Sequence, residues 1–190
     1  EQMEALGALC AEHPSCLMQT HISEQLEEIA WVQDLFPKSQ DYLDVYEGFG
    51  LSGARALYGH AIHLSDRETA RIQEMGAAVV HCPTSNTFIG SGLFDLSLAR
   101  RGISVGLATD TGGGSSFSML RTMAAAYEVA QLRGTALHAA ELLWLATQGS
   151  ARALHAADKI GALDVGQEAD ICVLNLAATA AIAQRRDRAG

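Results

Sequence analysis

The sequence predicts an α/β protein in which strands and helices alternate, as they do in a TIM-like (β/α) barrel. Short apolar runs of strand length are separated by longer segments with helical periodicity, and this alternation is typical of parallel strands covered by helices. Three of the apolar runs lead into a residue that can bind a metal ion or transfer a proton, namely His21, His60 and Asp110. Barrels of this kind place their active-site residues at the carboxyl ends of the strands.

Four strand–helix units are predicted in order along the chain. The strands are expected over residues 16–21, 56–60, 77–82 and 103–108. Helices are expected over residues 24–36, 40–48, 65–76, 93–101, 117–133 and 138–148, with a loop over residues 83–92. Four units make half of an eight-stranded barrel. A complete barrel usually needs about 250 residues, and the chain has 190.

Capping residues define the ends of two of these helices. Ser65 and Glu68 form an S-x-x-E capping box, and Gly76 stands where the same helix is expected to end. Ser23 is the expected N-cap of helix 24–36. The apolar face of that helix, which we expect to point inward, consists of Leu26, Ile29, Ala30 and Leu35.

The two ends of the chain differ from the alternating units. One face of an opening helix is formed by Met3, Leu6, Leu9 and Cys10. Because a protein rarely starts in the middle of a unit, we expect an N-terminal truncation. After residue 158, turn residues alternate with short apolar runs, which predicts two or three strands of a small β-sandwich. We therefore expect a half-barrel over residues 1–157 and part of a β-sandwich module with a tail over residues 158–190.

Composition and charge exclude several classes of partner. The formal net charge of −9 disfavours binding to nucleic acid or to an anionic membrane, because both would repel the chain. No apolar stretch approaches the roughly 20 residues that a membrane helix requires. No basic region followed by an apolar one opens the sequence, so a secretion signal is not expected. The four cysteines follow no C-x-x-C pattern, so the expected location is a reducing cytoplasm.

The residues at the predicted strand ends suit a zinc-dependent reaction. His21 and Asp110 offer the nitrogen and oxygen ligands that zinc accepts, although catalytic zinc usually has at least three protein ligands. Glu24, three residues after His21, is placed to transfer protons, and His60 is placed to orient an attacking water. Iron accepts similar ligands, so the residues alone leave the metal open.

Each of these residues also has a structural interpretation. A single histidine after a strand is often hydrogen-bonded without binding anything, Asp110 is a plausible loop or N-cap residue, and Glu24 would complement a helix dipole. His81 and Cys82 are not expected to act in the site. The other four residues are predicted to lie together at the ends of neighbouring strands, and this placement favours a functional role for them. They are His21, Glu24, His60 and Asp110.

Longer motifs resemble those of the metal-dependent amidohydrolase superfamily. The stretches that resemble its motifs at barrel strands 5 to 8 are Thr20–Glu24, Gly59–His60, Cys82–Asn86 and Thr109–Asp110. The resemblance is closest to the members that deaminate guanine, through His81–Asn86, Gly90–Phe94 and Gly112–Leu120. The segment Ile160–Asp170 resembles strands of the small β-sandwich that many members carry.

The resemblance implies a hydrolase that converts guanine to xanthine and ammonia. His21 and Asp110 would bind zinc, Glu24 would transfer a proton to a ring nitrogen, and His60 would assist the water whose proton Asp110 accepts. His21, Glu24 and Asp110 would also contact the purine, a small-molecule substrate. The resemblance further implies strand–helix units 5 to 8, and a homodimer in the full-length parent, without nucleic acid or membrane partners.

The sequence departs from the superfamily at two points. It contains no His-x-His pair, which supplies two zinc ligands in the superfamily, and it lacks the arginine that grips the substrate. We therefore expect that this chain alone is not an active deaminase. The alternatives are another aminohydrolase of the superfamily, acting on cytosine, an adenosine-type substrate or a triazine ring, and a non-catalytic half-barrel that pairs with a partner.

Overall fold

Four short parallel strands form one sheet in the order in which they occur along the chain. The computed structural model describes residues 1–189. Its strands are β1 (Met18–Ile22), β2 (Ala56–His60), β3 (Ala78–His81) and β4 (Ser104–Leu107). Each strand pairs in parallel with the next, with Met18 opposite Ala56, Leu57 opposite Ala78, and Ala78 opposite Ser104. The predicted α/β class and all four predicted strands are confirmed.

Helices connect and cover the strands. They are α1 (Gln2–Glu12), α2 (Leu26–Leu35), α3 (Tyr42–Gly48), α4 (Asp66–Met75), α5 (Pro83–Ile89), α6 (Ser97–Arg100), α7 (Met119–Leu132), α8 (Ala139–Trp144), a π-helical turn (Leu145–Gly149), α9 (Ser150–Ala153) and α10 (Ala180–Ala189). The capping box of α4 is confirmed: Ser65 Oγ accepts from the Glu68 amide at 3.2 Å, and Glu68 Oε2 accepts from the Ser65 amide at 2.7 Å. Gly76 ends the helix in the left-handed conformation.

The start of α2 was predicted wrongly. Its N-cap is Gln25 rather than Ser23, and Glu24 therefore lies in the loop before the helix. Ser23 has a positive φ of 47°, whereas an N-cap adopts an extended conformation. The Ser23 carbonyl instead accepts from the backbone amides of Ile62 and His63, which ties this loop to the one after β2.

The predicted inward face of α2 is also wrong. Leu26 and Leu35 are 63% and 57% exposed, and α2 contains no buried residue. The helix packs against α3 on one side, which leaves most of its apolar surface uncovered. Residues 83–92, predicted as a loop, contain α5, because Pro83 is well suited to the first turn of a helix. The helix expected over residues 93–101 is reduced to α6.

No strand forms within residues 158–189. The apolar side chains there are uncovered, with Val165 fully exposed and Val173 largely so. A short strand is stable only when it pairs with others and covers a hydrophobic face, and these runs find no such partner in the described residues. The predicted β-sandwich strands are thus not confirmed, and the boundary at residue 158 stays a prediction. Residue 190, the last of that predicted module, lies outside the described residues.

The core lies between the sheet and the helices that cover it. Ile22, Tyr58, Val79 and Val105, one from each strand, are buried and belong to one hydrophobic cluster with Phe94. Burying a side chain of this size contributes roughly 1.5–3 kcal/mol, so this cluster fixes the relative positions of the strand ends. Of the helices described, none is long and apolar enough to cross a membrane.

Two arginines on α4 hold α3 in place. Arg67 donates to Asp41 at 2.8 Å and to Glu47 at 2.8 Å, and it lies 3.3 Å from Asp44. Arg71 donates to the other oxygen of Glu47 at 2.6 Å. Networks of this kind are more stabilising than isolated surface pairs, which contribute about 0–1 kcal/mol each. The ion pairs of Arg67 and Arg71 anchor α3 beside the loop that follows β1.

Candidate functional site

The carboxyl ends of β1 and β2 bring together His21, Glu24 and His60. One nitrogen or oxygen atom from each lies within 4.8 Å of the others. The two imidazole rings are edge to face, with centroids 4.7 Å apart, and Glu24 Oε1 lies 3.4 Å from His60 Nδ1. His21 is exposed, Glu24 is partly buried and His60 is fully buried, so the group reaches from the surface into the interior.

Unusual backbone conformations place these side chains. Ser23, His60 and Asp110 all have positive φ values between 47° and 65°, which is uncommon for residues other than glycine and often marks a functional site. Gly59 also helps to position a side chain of the site, because it has no side chain of its own. A Cβ at this position would lie 3.2 Å from Cδ2 of His21, so glycine lets the His21 ring rest against β2.

Asp110 stands outside this group of three. It lies shortly after the end of β4, and its negative charge acts to raise the pKa of His60. Its side chain lies beside the glycine loop, because a Cβ at Gly113 would meet Asp110 Oδ2 at 2.9 Å and Ser85 Oγ at 2.8 Å. The structure thus gathers three of the four predicted residues closely and places the fourth at the same end of the sheet.

Burial controls the charge of His60. Removal from water lowers the pKa of His60, the nearby Glu24 carboxylate acts in the opposite direction, and His21 adds to the lowering. His60 is therefore a neutral imidazole at neutral pH. A neutral imidazole has one nitrogen that donates a hydrogen bond and one that accepts.

Two contacts of Glu24 were missed by the sequence analysis. Ser91 Oγ donates to Glu24 Oε1 at 2.8 Å, and Asn86 Nδ2 donates to the same oxygen at 3.3 Å. Asn86 is almost fully buried. Both residues lie in the segment that was predicted as a loop. One sequence signal could have revealed the contact from Asn86. The segment Cys82–Asn86 directly follows a predicted strand next to β2, so it should lie at the same edge of the sheet as His60.

His81 and Cys82 take no part in the cluster. Burial raises the pKa of the Cys82 thiol to about 12, which makes it a poor nucleophile. His81 is completely buried and stacks on Phe94 with ring centroids 4.5 Å apart. Neither ring nitrogen of His81 has a hydrogen-bond partner. Burial lowers the pKa of His81 to about 3, so His81 functions as a neutral aromatic residue of the core.

The buried His81 predicts a loss of stability in acid. Between pH 6.5 and about 3 the unfolded chain binds a proton that the folded chain does not, so the free energy of unfolding falls as the pH falls, by about 1.4 kcal/mol per unit. The phenylalanine of His81→Phe does not titrate. The free energy of unfolding of this variant minus that of the wild type should therefore be about 2 kcal/mol larger at pH 5 than at pH 7.5. Urea unfolding at the two pH values measures it.

A matched control for His81→Phe is Ser85→Ala. Ser85 is also fully buried and its hydroxyl has no hydrogen-bond partner, but it does not titrate in this range. Its removal should change the stability equally at both pH values. An equal effect of His81→Phe at the two pH values would contradict the prediction.

Comparison with known proteins places this chain in a family of hydrolases. The model of the amidohydrolase family matches residues 1–188. The chain therefore belongs to the amidohydrolase family, whose members are expected to depend on a metal.

Individual relatives narrow the comparison. Guanine deaminase of Escherichia coli K12 is 43% identical over 180 residues, which cover 94% of this chain and 41% of that protein. A solved structure of E. coli guanine deaminase superposes with a TM-score of 0.96 at 41% identity, over 98% of this chain and 44% of that one. An adenosine deaminase from Xanthomonas campestris with bound zinc gives a TM-score of 0.80 at 29% identity, over 88% and 39%. The chain thus spans about two fifths of the length of the relatives it matches.

Proposed function

We propose that these residues form the C-terminal half of a zinc-dependent hydrolase that converts guanine and water to xanthine and ammonia. The observation that carries the proposal is the meeting of His21, Glu24 and His60 at the ends of two adjacent parallel strands. The higher similarity to guanine deaminase than to the adenosine deaminase supports guanine as the substrate. In this proposal β1 to β4 are strands 5 to 8 of a (β/α) barrel.

The donor atoms of the site fit zinc. Imidazole nitrogen and carboxylate oxygen are its usual ligands outside thiolate sites, and iron accepts the same set. His21 and Asp110 are the proposed ligands. When bound, zinc lowers the pKa of a water molecule from 15.7 to about 7 and so supplies a nucleophile at neutral pH.

The remaining steps fall to the side chains of this chain. Asp110 accepts the proton of the attacking water, and His60 orients that water through a hydrogen bond. Glu24 carries one proton of the water to the ring nitrogen, and the proton that Asp110 has accepted passes to the departing amino group, which leaves as ammonia. The half-buried position of Glu24 and its hydrogen bond from Ser91 keep the carboxylate in one place for this transfer.

The proposal requires ligands from outside these residues. The sequence holds no His-x-His pair, and two ligands are fewer than catalytic zinc usually has. The active unit is therefore the full-length parent, proposed to be a cytoplasmic homodimer, and the 190-residue chain alone should be inactive. Xanthine and ammonia formation from guanine should be measured for both.

Three substrates serve as comparisons in this assay: adenosine, cytosine and a triazine. We expect the parent to prefer guanine and the isolated chain to release no ammonia. Preference for another ring would favour a different aminohydrolase of the family. Zinc-dependent turnover of guanine by the isolated chain would overturn the requirement for outside ligands.

One observation favours a second candidate, a half-barrel that pairs with a partner without catalysing a reaction. Leu26, Trp31 and Leu35 leave an apolar surface on α2 uncovered, and such surfaces often mark interaction sites. Size-exclusion chromatography and metal analysis of the full-length parent separate the candidates. A stable oligomer that binds no zinc would favour pairing, whereas bound zinc favours the hydrolase.

A further inference from the structure

Asn86 lies between Glu24 and His60 and contacts both. Its amide nitrogen is 3.3 Å from Glu24 Oε1 and 2.9 Å from His60 Nδ1. The side chain is 1% exposed, and its Oδ1 atom has no hydrogen-bond partner. A buried amide with one unsatisfied end is unfavourable compared with an apolar side chain of the same shape. What this position gains from asparagine is therefore its amino group.

The chemistry of the neighbours determines which end of the amide faces them. Glu24 Oε1 is an acceptor, and an amide oxygen at 3.3 Å from it would place two acceptors against each other. The group between Glu24 and His60 must therefore be the amino group, which only donates. It follows that His60 Nδ1, at 2.9 Å from the same amino group, accepts a hydrogen bond and carries no proton.

We propose that Asn86 is a positioning residue that fixes His60 in the tautomer with its proton on Nε2 and holds Glu24 beside it. Nδ1 is then occupied by Asn86 and Nε2 is a donor, so the ring has no free lone pair for a metal ion. Although His60 lies close to His21 and Glu24, it acts as a hydrogen-bond donor rather than as a ligand. Its part in catalysis rests on the proposed function, whereas the tautomer does not.

The tautomer is measurable in the 190-residue chain without any turnover. Two-bond ¹H–¹⁵N correlation spectra of ¹⁵N-histidine-labelled protein distinguish a proton on Nε2 from one on Nδ1, and the missing signals of His60→Gln assign the residue. We expect the Nε2 form in the wild type. In Asn86→Leu the donor is gone, and the proton should move to Nδ1 and bond to Glu24 Oε1, 3.4 Å away.

Thr87→Val is the matched control, because Thr87 is exposed on the same helix and bonds only to the carbonyl of Pro83. It should keep the Nε2 form. A proton on Nδ1 of His60 in the wild type overturns the proposal, whether or not an Asn86 variant folds. An unchanged tautomer in folded Asn86→Leu also overturns it. If Asn86→Leu fails to fold, Asn86→Ala serves as the second variant.

The catalytic consequence is tested separately in the parent protein. Asn86→Leu should lower kcat for guanine about 10- to 100-fold, the range typical of residues that orient an active-site histidine, with KM changed only slightly. A loss confined to KM would overturn the assigned positioning role. If the parent does not deaminate guanine, the proposed function fails while the spectroscopic result still decides the tautomer.

Discussion

Glu24→Gln in the parent protein should lower kcat for guanine deamination about 10²- to 10⁴-fold, the usual contribution of a positioned proton-transfer group. Glutamine has the same shape as glutamate, and its oxygen can still accept from Ser91, which donates at 2.8 Å to Glu24 Oε1. The amide cannot release or take up a proton at this pH, so only proton transfer is removed. KM should change by no more than a few-fold, because the hydrogen bond from Ser91 persists.

The matched control for Glu24→Gln is Glu27→Gln. Glu27 is an exposed residue in the first turn of α2, three residues away, and its substitution removes the same charge without touching the site. Its kcat and KM should equal those of the wild type. If the kcat of Glu24→Gln stays within about threefold of the wild-type value, the prediction is wrong and another group carries the proton.

Glu68→Ala should be the most destabilising of the substitutions considered, with a loss of about 3–5 kcal/mol in the free energy of unfolding. Glu68 is 3% exposed. Its carboxylate accepts from the Ser65 amide at 2.7 Å, from the Leu43 amide at 3.2 Å and from Ser23 Oγ at 3.4 Å. Alanine leaves the buried donors of Leu43 and Ser23 without this partner and removes the capping contact of the Ser65 amide. Urea denaturation of the 190-residue chain measures the loss.

Glu74→Ala provides the comparison for this prediction. Glu74 is on the same helix, pairs with Arg71 at 2.6 Å and has a largely exposed side chain, so its removal should lower the stability by less than about 1 kcal/mol. Glu68→Gln keeps an acceptor oxygen and should fall between the two. Equal losses for Glu68→Ala and Glu74→Ala would mean that the buried contacts of Glu68 do not stabilise the fold.

The parts of the structure that depend on local patterns were predictable from the sequence. The strands are short apolar runs bounded by polar residues, and the capping box of α4 is encoded in four consecutive residues, Ser65 to Glu68. His21 and His60 were predicted to meet because parallel strands end on the same side of a sheet. Their closeness follows from the register that places His21 opposite Gly59.

The parts that depend on distant contacts were not predictable. Asn86 and Ser91 reach Glu24 from 62 and 67 residues away in the sequence, and no local pattern encodes such a distance. Ser23 looked like an N-cap, but the backbone amides of the loop after β2 bind its carbonyl and favour a different conformation. The apolar face of α2 had the right periodicity, and only the absence of covering elements in residues 1–189 explains its exposure.

The order of the strands has a consequence for how the chain folds. Each strand after β1 pairs with the strand before it, across a connection of about 17 to 33 residues, so no pairing has to close a very long loop. Because the entropy lost in closing a loop grows with its length, the sheet can be assembled one unit at a time from its first strand. His21 and His60, at the ends of β1 and β2, can then come together during synthesis before β4 has been made.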